Sequence, residues 1–232
     1  LVAFLSLIKV SILTRYLVPD DFGLMALVSF ILGIMSIFVD LGLGSAILHK
    51  QKISREEYSS LFWLSLLFSI IVVTIVFVLS PLVAKFYDEP RITRLMHLMS
   101  LTVIFSALGG QFKIVAQKNL NFRLISIVEI LSALFGFIIS ILFALLNYGV
   151  LSLVYGALVQ YAIANLVFLI VGLRTHPISF HLRFIEVKSF LLIGLYQVGG
   201  QVLNYVNRDM DILLVGRFLG LEALGGYSLA KQ

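Results

Sequence analysis

Hydrophobic positions in this chain fall in long blocks, each bounded by a short cluster of charged or turn-forming residues. A hydrocarbon core about 30 Å thick takes roughly 20 apolar residues to cross as a helix. The blocks approach or meet that length seven times. They predict membrane helices over Leu1–Leu13, Phe22–Gly44, Tyr58–Ser80, Leu95–Phe112, Leu124–Leu146, Val150–Leu173 and Ser189–Val215. Pro19 with Asp20 and Asp21 marks the first turn, Pro81 is expected to end the third helix, and Asn147–Gly149 makes a tight hairpin between the fifth and sixth. The expected fold class is all-α, a polytopic helical membrane protein.

Composition agrees with that pattern. Of the 232 residues, 60% are hydrophobic and only 12% charged. With no cysteine, disulfides, paired-cysteine redox chemistry and thiolate metal sites are all excluded. The four histidines are scattered, and neither a phosphate-loop nor a dinucleotide-binding glycine pattern precedes a helix. These absences argue against an enzyme, and no cofactor or metal is expected. An apolar run is already under way at Leu1 and another begins near Gln232, so the chain reads as part of a longer one; no basic leader with a small-residue cleavage site opens it.

The net charge of +5 is carried by the connections. The second, fourth and sixth hold Lys50, Lys52, Arg55, Lys113, Lys118, Arg123, Arg174, Arg183 and Lys188; the odd-numbered ones hold Arg15, Lys85, Arg91, Arg94 and Arg217. Cytoplasmic loops concentrate Lys and Arg, so the even-numbered loops are expected on the cytoplasmic side and no nucleic-acid partner is expected. Ser132, Gly136, Ser140 and Ala144 form a small-residue ridge on the fifth helix; Ser152, Gly156, Gln160 and Ala164 form another on the sixth. Such ridges let membrane helices pack closely.

The end of the first helix, ILTRYLVPDDFGLMAL, resembles the end of the seventh, LLVGRFLGLEALGGYSLA. Aligning Arg15 with Arg217 brings Tyr16 onto Phe218, Leu17 onto Leu219, Gly23 onto Gly225 and Ala26 onto Ser228 without a gap. Six spans separate the copies, so both point the same way, as in parallel repeats of secondary transporters. Residues 1–188 would then form one six-helix lobe, and residues 189–232 would open a second, repeated lobe.

The seventh helix carries Gln197, Gln201, Asn204, Arg208 and Asp211 at alternating spacings of four and three, with Asn207 and Asp209 beside them. That spacing keeps one helix face, and 14 residues of it extend about 21 Å. A charge at mid-membrane costs roughly 2.5–3.5 kcal/mol or more, so this stripe should face a wet cavity or a hydrogen-bonded seam. The number of ionisable groups favours the cavity. The repeat sets Lys9 against Asp211 and Ser6 against Arg208, which makes Lys9 a further candidate. Asp40 and Glu129 are secondary candidates: Asp40 suits a cap or turn, whereas Glu129 either points into the bundle or reaches the headgroups.

The turn Pro19–Gly23, the tetrad Asp40–Leu43 and the segment from Asn207 to Gly220, with Asp209 or Asp211 as its acid, resemble Wzx-like oligosaccharide flippases. These are the polysaccharide transporter family of the multidrug/oligosaccharidyl-lipid/polysaccharide exporter superfamily, and the likeness is strongest to the colanic-acid and teichuronic-acid exporter type. The resemblance implies twelve or more helices in two lobes in the bacterial cytoplasmic (inner) membrane, with alternating access around a cavity lined by the first and seventh helices. It implies an undecaprenyl-pyrophosphate-linked oligosaccharide as cargo, with a polysaccharide polymerase and glycosyltransferases as partners. Arg208 and Lys9 would then attract the pyrophosphate or acidic sugars, and Gln197, Gln201, Asn204 and Asn207 would bond sugar hydroxyls. Asp209 or Asp211 would hold the cations in the empty state or take up a proton or sodium ion. The alternatives are a drug/cation antiporter of the same superfamily, which should favour acidic over cationic residues, and a seven-helix receptor, which the repeat opposes.

Overall fold

The computed structural model describes residues 2–40, 47 and 53–231. These form α1 (Val2–Leu13), α2 (Pro19–Asp40), α3 (Arg55–Phe86), α4 (Arg91–Lys118), α5 (Phe122–Leu145), α6 (Val150–Thr175), α7 (Phe184–Phe218) and α8 (Gly220–Lys231), with no strand among the described residues. Leu41–Gly44 of the predicted second span lie outside the described residues, as do Lys50 and Lys52. Helices α2 to α6 are long and apolar enough to cross a membrane; α1 is a shorter apolar helix. Ile70, Phe77 and Val78 on α3 and Phe135, Ile138 and Leu142 on α5 are exposed. With five spanning helices and so apolar an outer face, the chain is a multi-pass membrane protein.

Three expectations about helix ends need correction. Pro81 does not end α3, which continues to Phe86. A proline inside a helix leaves the carbonyl four residues earlier without its N–H donor. Here that carbonyl is Phe77, and the Ser80 hydroxyl donates to it at 3.1 Å. Ser80 is fully buried, and its Oγ also lies 2.7 Å from His97 Nε2, whose ring stacks on Phe77 at 4.0 Å. Likewise α4 runs past Phe112 to Lys118, and α7 begins at Phe184, before Ser189. Basic residues at these ends read as loop in the sequence. On a helix, though, the stems of Lys113 and Lys118 can lie along apolar surface while their ammonium groups reach the boundary.

Several apolar clusters make up the core, and the largest joins five helices. Leu24, Leu27, Val28 and Leu32 of α2 meet Val72 and Val76 of α3, Leu95, Met96, Met99 and Val103 of α4, Val154 of α6 and Leu224 of α8. Helices α5 and α6 are antiparallel neighbours across the Asn147–Gly149 hairpin, where both terminal residues take positive φ. Their small-residue ridges mesh: a Cβ on Gly136 would lie 2.7 Å from the Gly156 carbonyl oxygen. At the odd-loop end, Asp20 and Asp21 open α2 and Arg91 opens α4. Arg91 Nη2 meets Asp20 Oδ2 at 2.6 Å, and its Nε meets Glu89 Oε1 at 2.9 Å. That bond from Arg91 holds the Glu89 carboxyl below the usual glutamate range. The paired aspartates of the first turn thus tie α2 to the α3–α4 turn.

Candidate functional site

Arg208 and its neighbours are placed by two packing contacts on α7. Tyr205, one turn earlier, rests its hydroxyl over Gly33 of α2, and its ring lies 5.4 Å from that of Phe30. The Arg208 guanidinium sits 5.4 Å from the centre of the Tyr205 ring. The second contact is made by α8, which folds back from Gly220 and crosses α2. A Cβ on Gly23 would lie 2.1 Å from the Leu221 carbonyl oxygen, and a Cβ on Gly225 only 1.8 Å from that of Pro19. Gly23 and Gly225 correspond in the 202-residue repeat, and so do Pro19 and Leu221. The crossing is therefore symmetric, with each glycine receiving the carbonyl of the other copy's turn.

Between these helices lies a cavity of about 580 Å³. It is lined from α1 by Ser6, Lys9, Val10 and Leu13; from α2 by Phe22, Met25, Ala26, Ser29 and Phe30; from α6 by Leu153 and Ala157. From α7 and α8 come Tyr205, Arg208, Asp209, Ile212, Ser228 and Lys231. The repeat organises this lining. Ser6 and Arg208, Val10 and Ile212, Ala26 and Ser228, and Ser29 and Lys231 are corresponding positions, and all eight face the cavity.

The charges form a connected set. Arg208 donates through Nε and Nη2 to Asp209 Oδ2, both at 2.8 Å. Lys231 Nζ reaches Asp209 Oδ1 at 3.1 Å and both oxygens of Asp211 at 2.9 Å, and it donates to the Arg208 carbonyl. The Tyr227 hydroxyl donates to Asp211 as well. Asp209 is buried, whereas the Arg208 side chain is 70% exposed and can reach a ligand. Lys9, half-buried on the α1 wall, makes no hydrogen bond or ion pair among the described residues. Three cations thus face two carboxylates, and the surplus is positive. Coulombic attraction is strong where water is scarce, so this arrangement suits an anion.

Of the residues singled out from sequence, the structure brings Lys9, Arg208 and Asp209 to one cavity and sets Asp211 beside it through Lys231. It does not bring Gln197, Gln201, Asn204 or Asn207 to the lining: Gln197 is half-buried, and the other three are exposed on α7. Asp40 borders a separate small cavity with Ser65 and Ser106. Glu129 pairs with Lys113 of α4 at 2.7 Å, beside Gln160 and Asn165. Lys231 and Tyr205 escaped the sequence reading. The signal for Lys231 was the repeat carried three residues past Ser228, which sets it on the polar face of Ser29.

A family model described as polysaccharide biosynthesis protein matches residues 12–232. The chain is 28% identical over 226 residues to the lipopolysaccharide biosynthesis protein WzxC of Escherichia coli, covering 97% of this chain and 46% of that protein. It is 31% identical over 202 residues to the teichuronic acid biosynthesis protein TuaB of Bacillus subtilis, covering 84% and 41%. It is 27% identical over 229 residues to the succinoglycan biosynthesis transport protein ExoT of Rhizobium meliloti, covering 98% and 46%. The chain thus spans about half the length of these curated relatives. No solved structure matches.

Proposed function

Because this chain belongs to the polysaccharide biosynthesis protein family that its residues 12–232 match, we propose that it forms the first half of an exporter that turns a lipid-linked oligosaccharide from the cytoplasmic to the outer leaflet. Helices α1 to α6 are the first lobe, α7 and α8 begin the second, and the even-numbered loops are cytoplasmic, where Lys and Arg accumulate. The observation that carries this reading is the cavity itself: Lys9, Arg208 and Lys231 converge on it from both repeats.

The chemistry is an exchange of ionic partners. Before cargo enters, Asp209 and Asp211 hold Arg208 and Lys231, so the cavity charges of α7 and α8 are paired and Lys9 supplies the surplus. A pyrophosphate entering the cavity takes Arg208 through paired N–H bonds, which the planar guanidinium is shaped to give. Lys9 adds a point charge from the opposite wall. The released carboxylates stay with Lys231 or take up a proton or sodium ion, which couples cargo release to an ion gradient. A cation antiporter would need the reverse balance of charge.

The test is export by the full-length protein in a strain lacking its own exporter. Arg208→Ala should abolish surface polysaccharide at a normal membrane level of the protein, with lipid-linked precursor accumulating. Arg208→Lys should retain part of the activity. Wild-type export by Arg208→Ala would refute the assignment.

A further inference from the structure

A second cavity, of about 360 Å³, lies at the even-loop end of the bundle, between the start of α3 and the ends of α4 and α6. None of its lining residues lines the cavity around Arg208. Arg55, Lys118 and His176 supply its polar wall, while Ile53 and Val115 supply apolar surface. No carboxylate occurs among the described residues that line it. Of the two acids that follow Arg55 in the first turn of α3, Glu57 accepts from the Ser54 backbone N–H at 3.0 Å in a capping box, and neither Glu56 nor Glu57 lines the cavity.

The basic groups are positioned rather than loose. Arg55 Nε donates to the Pro177 carbonyl at 3.0 Å, which ties the guanidinium to the α6–α7 connection; its terminal nitrogens make no bond among the described residues. Lys118 Nζ donates to the Ile47 carbonyl at 2.8 Å. Tyr58 also lines the cavity. It is only 6% exposed, and its hydroxyl has no hydrogen-bond partner among the described residues. A buried polar atom left unpaired is rare enough to ask for a ligand or an ordered water.

We propose that this cavity binds the phosphate of an anionic phospholipid headgroup, with Arg55 and Lys118 as the charge contacts and Tyr58 as a hydroxyl donor. Basic pockets between membrane helices on the cytoplasmic side recognise acidic headgroups. The apolar flank of Ile53 and Val115 suits an acyl chain, which a free anion lacks. The site therefore anchors the first lobe to its annulus of acidic lipid, away from the cargo path.

The experiment uses the full-length protein in neutral detergent, with phosphatidylglycerol, phosphatidylcholine or inorganic phosphate added. Retained lipid is read by native mass spectrometry and stability by thermal melting. Phosphatidylglycerol should be retained and raise the melting temperature, phosphatidylcholine should not, and the Arg55→Gln/Lys118→Gln variant should bind it about 30-fold more weakly, from about fivefold per cation. Tyr58→Phe, a conservative change that cannot unfold the site, should melt no lower than wild type without lipid and gain less from phosphatidylglycerol. Equal retention of both lipids, or unchanged binding in the double variant, overturns the proposal. Inorganic phosphate stabilising as well as phosphatidylglycerol would overturn the lipid assignment and leave a free-anion site.

Discussion

The crossing of α2 and α8 gives a prediction with a sign that can be worked out. In Gly23→Ala the new methyl carbon would sit 2.1 Å from the Leu221 carbonyl oxygen and 3.1 Å from the Gly225 nitrogen. Carbon and carbonyl oxygen come no closer than about 3.3 Å, so the helices must part by about 1 Å. Both obstacles are backbone, and no rotamer change relieves them. Overpacking of this kind costs about 1–3 kcal/mol, and backbone contact puts it at the upper end. Against it, alanine gains about 1 kcal/mol over glycine within a helix. The net loss is roughly 2 kcal/mol, or about 4–8 °C in melting temperature for a domain of 150–250 residues. The assay is thermal melting of purified protein in detergent. Gly110→Ala serves as control, because a Cβ there meets nothing within 4 Å and only the helix gain remains. Gly225→Ala should behave like Gly23→Ala, and the double variant should lose less than the sum, since the helices need to part only once. If Gly23→Ala melts no lower than Gly110→Ala, the close crossing is wrong.

Lys231→Ala should reduce export and cost about 1–3 kcal/mol, since it strips charged bonds from Asp211 and Asp209; adding Asp211→Asn should restore stability but not export. A double-mutant cycle read by melting and by surface polysaccharide checks both parts. Ser80→Ala should destabilise by about 1–3 kcal/mol because it orphans the Phe77 carbonyl and His97, and Ser80→Ala/Pro81→Ala should recover most of that by returning a backbone N–H. Melting curves decide it. Glu89 has its carboxyl pKa depressed by Arg91. Its contribution is present above the ordinary glutamate range and is lost as pH falls through the lowered folded value. Acid melting of Arg91→Gln should therefore lose this step, and an unchanged acid profile would count against it.

How much was legible in the sequence varied with the physics behind each feature. Spans were legible because a bilayer imposes a minimum apolar length, and α2 to α6 have it. Their ends were not. Lys113 and Lys118 look like loop residues until the reach of their side chains is considered, and Pro81 looks like a stop until Ser80 supplies the missing donor. The partnership of Lys9 with the α7 charges was visible through the offset that matched Arg15 to Arg217. Lys231 was hidden because α8 is a short helix with no stripe of its own. Only its crossing with α2, set by two glycines far apart in the chain, turns that lysine toward Asp211. The amides of Gln201 and Asn204 share a face with Arg208 by spacing, but both are exposed on α7 and neither lines the cavity.

The α2–α8 contact has one more consequence. Because each side offers the same glycine and the same carbonyl, the surface is self-complementary, as in an isologous dimer. Such a face mates with its copy whether or not a peptide link joins them. A single bundle carrying one copy would have a ready route to pairing with its twin, head beside head in the bilayer. Fusing the two genes would then add asymmetry of charge without having to invent the joint.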